Sequence, residues 1–452
     1  MFKQVLIANR GEVAVRLIRA CRELGVETVA AYSTADRDSL HVELADRAVH
    51  VGPPAPADSY LNIPSLVAAA VTTGCEAVHP GWGFLAENAD FARACEDNDL
   101  VFIGPRPETI EMMGDKVVAK EAVAAAGIPL VPGSNGAATF VQAQDLGAAI
   151  GYPLLLKASA GGGGRGMRLV DFADDLEGAF QTASAEAEAA FSDGSLYVEK
   201  ALVGARHVEI QVLGDGEGGV LTLGERDCSV QRRHQKLIEE APSPGLTPEL
   251  RAEMEDAAHR GCEALRYRGA GTIEFLLADD GSFYFIEMNT RLQVEHPVTE
   301  LLTGVDLARA QFHIAAGDGL PREGRAELTG HAIEIRINAE DPAHGFLPAP
   351  GTVTRFRPPL GPGVRVDTHI VEGYRIPPQY DSLIAKVIVW AEDRPAALAR
   401  ALRALSELEL EGVPTTRELA IDILGNSRFA SGHYTTQFIT EAAPELPSLR
   451  EA

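Results

Sequence analysis

Two β-type runs separated by an Asp-Gly pair constrain this chain's folding more than any other feature. Residues 272–277 (Thr-Ile-Glu-Phe-Leu-Leu) and 283–289 (Phe-Tyr-Phe-Ile-Glu-Met-Asn) are rich in β-branched and aromatic side chains, with Asp280-Gly281 between them. Asp-Gly readily takes positive φ at both central positions of a two-residue hairpin turn. That register pairs Asp279 with Ser282 and, counted back, sets Glu274 directly opposite Glu287, with Asn289 on the face of Glu287. Directly opposed residues have Cβ atoms roughly 4.5–5.5 Å apart. Two carboxylates at about 5 Å repel by roughly 3 kcal/mol at an effective dielectric of about 20. Splayed, solvated glutamates would dissipate that cost. A divalent cation between them would turn it into an attraction, and oxygen ligands without His or Cys suit Mg²⁺ bridging to nucleotide phosphates.

Other segments handle anions. The strand-like Pro153–Lys157 runs into Gly161-Gly162-Gly163-Gly164-Arg165-Gly166, whose successive glycines weaken any regular element. Such glycines let backbone N–H groups approach phosphate oxygens closely, although a flexible linker would have the same composition. No G-x-x-x-x-G-K-[ST] loop occurs. Lys157, Arg165 and Arg168 beside the run favour a phosphate lid. Downstream of the hairpin, Thr290–Pro297 offers Arg291, a planar cation for a carboxylate or bicarbonate, and Glu295, placed to act as a general base. His296, followed by proline, reads as structural. Arg226–Lys236 is the densest basic stretch and reads as lining the same pocket. Residues 331–338 alternate strictly, with Ile333, Ile335 and Ile337 inward, so the pattern alone puts Glu334, Arg336 and Asn338 on a surface or cleft face.

The N-terminus opens as strand (residues 5–8), helix and strand (28–31), the signature of a parallel sheet. Val13, Leu17, Ala20 and Leu24 recur at helical spacing, with Arg16, Arg19 and Glu23 outward. Only one glycine occupies the first turn, so the dinucleotide fingerprint is missing. With 452 residues, the chain divides at its Pro/Gly-rich breaks into a Rossmann-like domain (1–114), a nucleotide domain (115–323) with a hinged lid at about 131–203, a β-rich C-terminal domain (324–446) and a tail (447–452), with the final ten residues expected to fray. Pro242–Pro248 connects elements, with Thr247 capping a helix that starts at Pro248, and a further helix spans 395–410. The net charge of −25 disfavours nucleic acid and acidic membranes as partners. Five scattered cysteines without a Cys-x-x-Cys pair, no signal sequence and no run long enough to span a bilayer fit a reducing cytoplasm.

The chain resembles the biotin carboxylase family of ATP-grasp enzymes over nearly its whole length. The resemblance is carried by Ile-Ala-Asn-Arg-Gly-Glu at 7–12, His-Pro-Gly-Trp-Gly-Phe-Leu at 79–85 and Met-Gly-Asp-Lys at 113–116, and by the glycine run within 157–167, Gln-Arg-Arg-His-Gln-Lys at 231–236 and Glu-Met-Asn-Thr-Arg-Leu-Gln-Val-Glu-His-Pro at 287–297. It implies ATP contacts at Lys116, Lys157, Glu199, Lys200, Leu202, His207, Gln231 and His234, with Gly163 and Gly164 closing over the nucleotide. It implies Mg²⁺ or Mn²⁺ at Glu274, Glu287 and Asn289, and bicarbonate held by Lys236, Arg291, Gln293 and the backbone of Val294. Glu295 would be the base, Trp82 and Gly83 would meet biotin, and Arg336 would stabilise its enolate, which overrides the exposed-face reading. Trp82 stands where tyrosine is frequent, and Ala160 where many relatives have another glycine.

The resemblance further implies the first half-reaction of an acyl-CoA carboxylase, most often acetyl-CoA carboxylase. A biotin carboxyl carrier protein and a carboxyltransferase would lie on other chains, and a homodimer is expected from the family. No methionine is followed by lysine, so the chain is expected to carry no biotin itself. A carbamoyl-phosphate-type ligase would share the metal pair, but the Arg291–Pro297 segment with Arg336 favours biotin. A non-catalytic nucleotide sensor would need neither Arg291 nor Glu295.

Overall fold

The computed structural model describes residues 1–134, 136–159, 167–191 and 193–450. Gly163, Gly164 and the rest of the glycine loop lie outside the described residues. The N-terminal region is a five-stranded parallel sheet ordered Arg47–Gly52, Glu27–Ser33, Gln4–Ile7, Ala77–His79, Val101–Phe102. Its central strand is buried on both faces, so Val5, Leu6 and Ile7 form an unbroken apolar run. A Cβ built on Gly11, in the first turn, would lie 3.6 Å from His369. The crevice that holds a pyrophosphate in dinucleotide folds is therefore packed by the C-terminal part of the chain. The outward reading of Arg16 needs correction: its guanidinium reaches Glu300 at 2.9 Å and Asp306 at 2.6 Å, because a second helical layer covers that face.

A nine-stranded sheet dominates the rest. Its strands run in the order Phe283–Asn289, Arg268–Leu277, Arg206–Asp215, Val220–Arg232, Gln235–Ala241, His331–Asn338, Leu383–Ala391, Val364–Thr368, with Gly324–Arg325 added beside Val220–Arg232. The C-terminal strands thus continue the central sheet. The helix Pro248–Ala264 packs on it, capped as expected by Thr247, which accepts from the Leu250 N–H. The helix Arg394–Glu407 covers the C-terminal end, burying Leu398, Ala401 and Leu405. A separate small sheet, ordered Met167–Val170, Leu154–Ala158, Leu196–Lys200, packs with the helices Phe140–Ile150 and Leu176–Phe191 around its own apolar core. No described helix is long and apolar enough to cross a membrane, and all five cysteines are buried and unpaired.

Three local expectations are corrected. Glu274 does oppose Glu287, but not through a two-residue turn. The Ala278 N–H donates to the Ser282 carbonyl, leaving a three-residue loop that ends at Gly281 with φ +84°. The residue count is restored by a bulge that follows Glu274, where Phe275 pairs with Phe285 and Ile286 is the extra residue. On strand His331–Asn338 both faces are buried: Glu334 is 0% and Asn338 2% exposed, because helices close over what alternation offers as a polar face. The last ten residues are docked through residue 450, with Leu446 fully buried and the Ser448 N–H donating to Asp422.

Candidate active site

Strand pairing assembles the site. Glu287 pairs with Glu274, Glu274 with Glu209, and Glu209 with Arg226, so four charged residues form a row across four adjacent strands. Paired residues share a sheet face. Glu209 was not singled out in the sequence. Its signal is the alternation of His207, Glu209 and Gln211 with Val208, Ile210 and Val212.

Lys236 enters over this row. Its ammonium donates to Glu295 at 2.5 Å, Glu209 at 2.7 Å and Glu274 at 3.0 Å. The tight turn before it helps to aim it: Arg233 (φ 47°) and His234 (φ 67°) both adopt the left-handed conformation that glycine and asparagine usually supply. Such backbone is costly for ordinary side chains and persists where surrounding structure imposes it. Glu295 sits just before the helix His296–Thr303 without capping it. Its second oxygen accepts from Arg336 at 2.9 Å, and Arg336 also donates through Nε to Glu239 at 2.6 Å. Arg336 is 13% exposed, so it faces a cleft and not open solvent.

The remaining anion-loop residues converge on the same point. Arg291 donates to Asn289 at 3.0 Å and to Gln293 at 3.0 Å, and its Nε is held by Glu87 at 2.7 Å. Glu87, from the N-terminal region, also accepts from the Thr290 N–H. It had no distinguishing signal beyond its place just after the 79–85 motif. His296 is buried, with Nδ1 2.8 Å from the Gln293 carbonyl, consistent with a structural role.

The charges are unevenly compensated. Burial alone would raise the Glu295 carboxyl, but Lys236, Arg336 and Arg226 hold it well below the usual range. Glu274 is likewise lowered against its burial by Lys236 and His207, whose Nε2 lies 2.9 Å away. Burial pushes the Glu239 carboxyl up to about 6 despite Arg336. Glu287 is open to solvent at the cleft rim, yet the enclosing walls and the charge of Glu274 raise its carboxyl. Two carboxylates and an amide on one sheet face, with the Glu287 carboxyl raised beside Glu274, fit a hard divalent cation through oxygen. Glu274 already accepts from Asn289 Nδ2 at 2.8 Å, so a cation there would require the Asn289 amide to present its oxygen instead.

The nucleotide-side residues form two groups. Glu199 accepts from Lys157 at 2.5 Å and also from Lys120, which the sequence reading passed over although it lies one helical turn beyond Lys116. Gln231 Nε2 lies 3.4 Å from His207 Nδ1, joining this side to the carboxylate row. Lys200 donates to the Tyr152 carbonyl at 2.8 Å, and Leu202 is half-buried. His234 and Lys116 are exposed, as is Gly83, while Trp82 is half-buried and donates to Glu12 at 3.0 Å.

Comparison with known proteins identifies the arrangement. Residues 1–110 match the model for the N-terminal domain of biotin carboxylase, and residues 334–441 match that for its C-terminal domain. Residues 115–323 match the ATP-binding domain of the carbamoyl-phosphate synthase L chain. The chain is 54% identical over 442 residues to a biotin carboxylase of Nostoc sp., covering 97% of this chain and 99% of that one. It superposes with a TM-score of 0.92 at 48% identity, and 99% coverage of both chains, on the biotin carboxylase domain dimer of Hydrogenobacter thermophilus 2-oxoglutarate carboxylase, solved with MgADP, ADP and bicarbonate. A biotin carboxylase–β,γ-ATP complex from Campylobacter jejuni gives a TM-score of 0.93 at 45% identity, covering 98% of this chain and 99% of that one. The chain belongs to the biotin carboxylase family, the ATP-dependent carbon–nitrogen ligases built on the ATP-grasp fold.

Proposed function

We propose that the chain carboxylates biotin on a separate carrier protein, using ATP and bicarbonate, with the residues of the carboxylate row and anion loop in the following roles. The observation that carries the reading is the sharing of one ammonium, Lys236, among Glu295, Glu209 and Glu274. It links the candidate base to one candidate metal ligand, Glu274, within a single hydrogen-bond radius. ATP lies between the small sheet and the row, against Lys116, Lys157, Glu199, Lys200, Leu202, His207, Gln231 and His234, with Gly163 and Gly164 over its phosphates. Glu274, Glu287 and Asn289 hold Mg²⁺ or Mn²⁺, which when bound neutralises phosphate charge.

Bicarbonate binds Lys236, Arg291, Gln293 and the Val294 N–H. As Lys236 turns from Glu295 to the incoming anion, the carboxylate loses its main stabilising partner and its proton affinity rises, which suits a base. Glu295 takes the bicarbonate proton, a bicarbonate oxygen attacks the γ-phosphorus, and ADP leaves. The carboxyphosphate divides into CO₂ and phosphate, and the phosphate takes the proton of the ureido nitrogen, which attacks CO₂. Arg336 stabilises the negative ureido oxygen, and Trp82 and Gly83 flank the entering biotin. Units 1–114, 115–323 with the lid at about 131–203, and 324–446 act as three domains, the lid closing over ATP. The biotin carboxyl carrier and the carboxyltransferase, which for an acetyl-CoA carboxylase would use acetyl-CoA, reside on other chains, and two copies of this chain pair. The chain works in the cytoplasm.

The test is ATP cleavage measured with and without bicarbonate and free biotin. The reading requires dependence on bicarbonate and stimulation by biotin. Cleavage driven by another acid would favour a different ligase, and nucleotide binding without cleavage a sensor.

A further inference from the structure

A lysine stands entirely buried behind the anion loop. Lys386 lies mid-strand in Leu383–Ala391 and is 0% exposed. Its ammonium donates to the Val294 carbonyl at 2.7 Å. It pairs with Glu12 at 3.1 Å, and Asp367 lies 4.0 Å away. Glu12, itself buried, accepts from Trp82 Nε1 at 3.0 Å. One cation therefore joins the opening helix, the anion loop and the C-terminal strands. The surrounding run Leu-Ile-Ala-Lys-Val-Ile-Val-Trp is otherwise apolar, and an aliphatic side chain there would avoid the desolvation of an ammonium.

The contact falls where it constrains chemistry. The Val294 carbonyl belongs to the peptide that continues into Glu295, so holding its oxygen fixes the plane from which the Glu295 side chain departs. It also restrains rotation about Val294, and with it the direction of the Val294 N–H. We infer that Lys386 is a positioning residue that locks the Val294–Glu295 peptide against bicarbonate and, through Glu12, ties it to the Trp82 wall. The inference rests on the assignment of bicarbonate to this loop. Displacements of about 1 Å at a reacting centre can cost on the order of 100-fold in rate.

Lys386→Met combined with Glu12→Gln removes the lysine together with its nearest ion-pair partner, and Asp367 keeps Arg365 at 2.7 Å. The double variant is expected to unfold in urea near the wild-type midpoint and to bind ADP within about twofold of wild type. Its KM for bicarbonate should rise at least about tenfold, and its bicarbonate-dependent kcat should fall by about 10- to 100-fold. Lys386→Arg, which keeps the charge, should fall between the two. A folded double variant with wild-type bicarbonate KM would overturn the inference, as would ATP and bicarbonate constants raised alike. Failure of the double variant to fold would also count against it, by making the pair part of the frame. A wild-type chain without bicarbonate-dependent ATP cleavage would overturn the underlying assignment instead.

Discussion

The buried charges of this chain fall into two kinds, and the contrast explains what each is for. Around Glu240, one carboxylate receives Arg394 at 2.7 and 2.9 Å, His331 at 2.7 Å and Tyr434 at 2.5 Å. Asp36 is similarly served by both arms of Arg10, by Tyr60 and by Ser39. Each acid has its own cation, and against the effect of burial those partners hold both carboxyls down to about 2. In the cleft the acids outnumber the cations. Glu209, which also has Arg226 at 2.6 Å, shares Lys236 with Glu274 and Glu295, Glu239 and Glu295 share Arg336, and both oxygens of the buried Glu334, the cross-strand neighbour of Glu239, lack a hydrogen-bond partner among the described residues. Burial then pushes Glu209, Glu239 and Glu334 up, while Glu274 and Glu295 are held down. Matched clusters are finished structure. The cleft is left short of positive charge, which a bound cation would relieve, and in the proposed mechanism Lys236 changes partners there.

The largest effect expected from this contrast is on turnover. Glu295→Gln should lower bicarbonate-dependent ATP cleavage by about 10²- to 10⁴-fold, the range for a general base, while nucleotide binding persists. Steady-state kinetics check it, and a drop of less than tenfold would mean that the shared carboxylate is not the base. Next in size, Glu240→Gln should cost about 3 kcal/mol of stability by leaving Arg394 poorly paired, with turnover per folded molecule unchanged. Urea denaturation followed by activity normalised to folded protein checks both halves. If instead Glu240→Gln lowered turnover and left stability intact, the division into two kinds of cluster would fail.

The smallest effect is on pH dependence, and the two kinds should differ in sign. Asp36 and Glu240 have folded-state values near 2, below their ordinary ones. Their stabilisation is present above pH about 4.5 and is lost as pH falls toward 2. Glu239 sits at about 6, above its ordinary value. The folded state binds its proton more tightly, so ionising it costs stability as pH rises from about 4.5 through 6. Glu239→Gln should therefore gain on wild type, by on the order of 1–2 kcal/mol, between pH 5 and 7 in urea titrations. No change in that difference would remove Glu239 from the under-compensated set.

Much of this was legible in the sequence where chemistry is local. The parallel opening, the Thr247 cap and the opposition of Glu274 to Glu287 follow from short-range pattern, although the last came through a loop and a bulge that compensate each other. Arg336 shows the limit: strict alternation reads its face as polar, and only packing decides whether that face meets solvent or a cleft. Glu87, Lys120 and Lys386 come to the site from segments far apart in the chain, and no spacing announces such meetings. Lys386 left one trace, a charge inside an apolar strand, which marks a buried partner without naming it.

Transfer of a carboxyl group to biotin is the activity that this cleft is proposed to carry out. Its most direct test follows labelled bicarbonate into free biotin in the presence of ATP and Mg²⁺. Label should appear in biotin with the unaltered chain, and should be lost with Arg336→Ala even though that variant still binds ATP. ATP cleaved without label reaching biotin, or label transferred equally well by Arg336→Ala, would contradict the account.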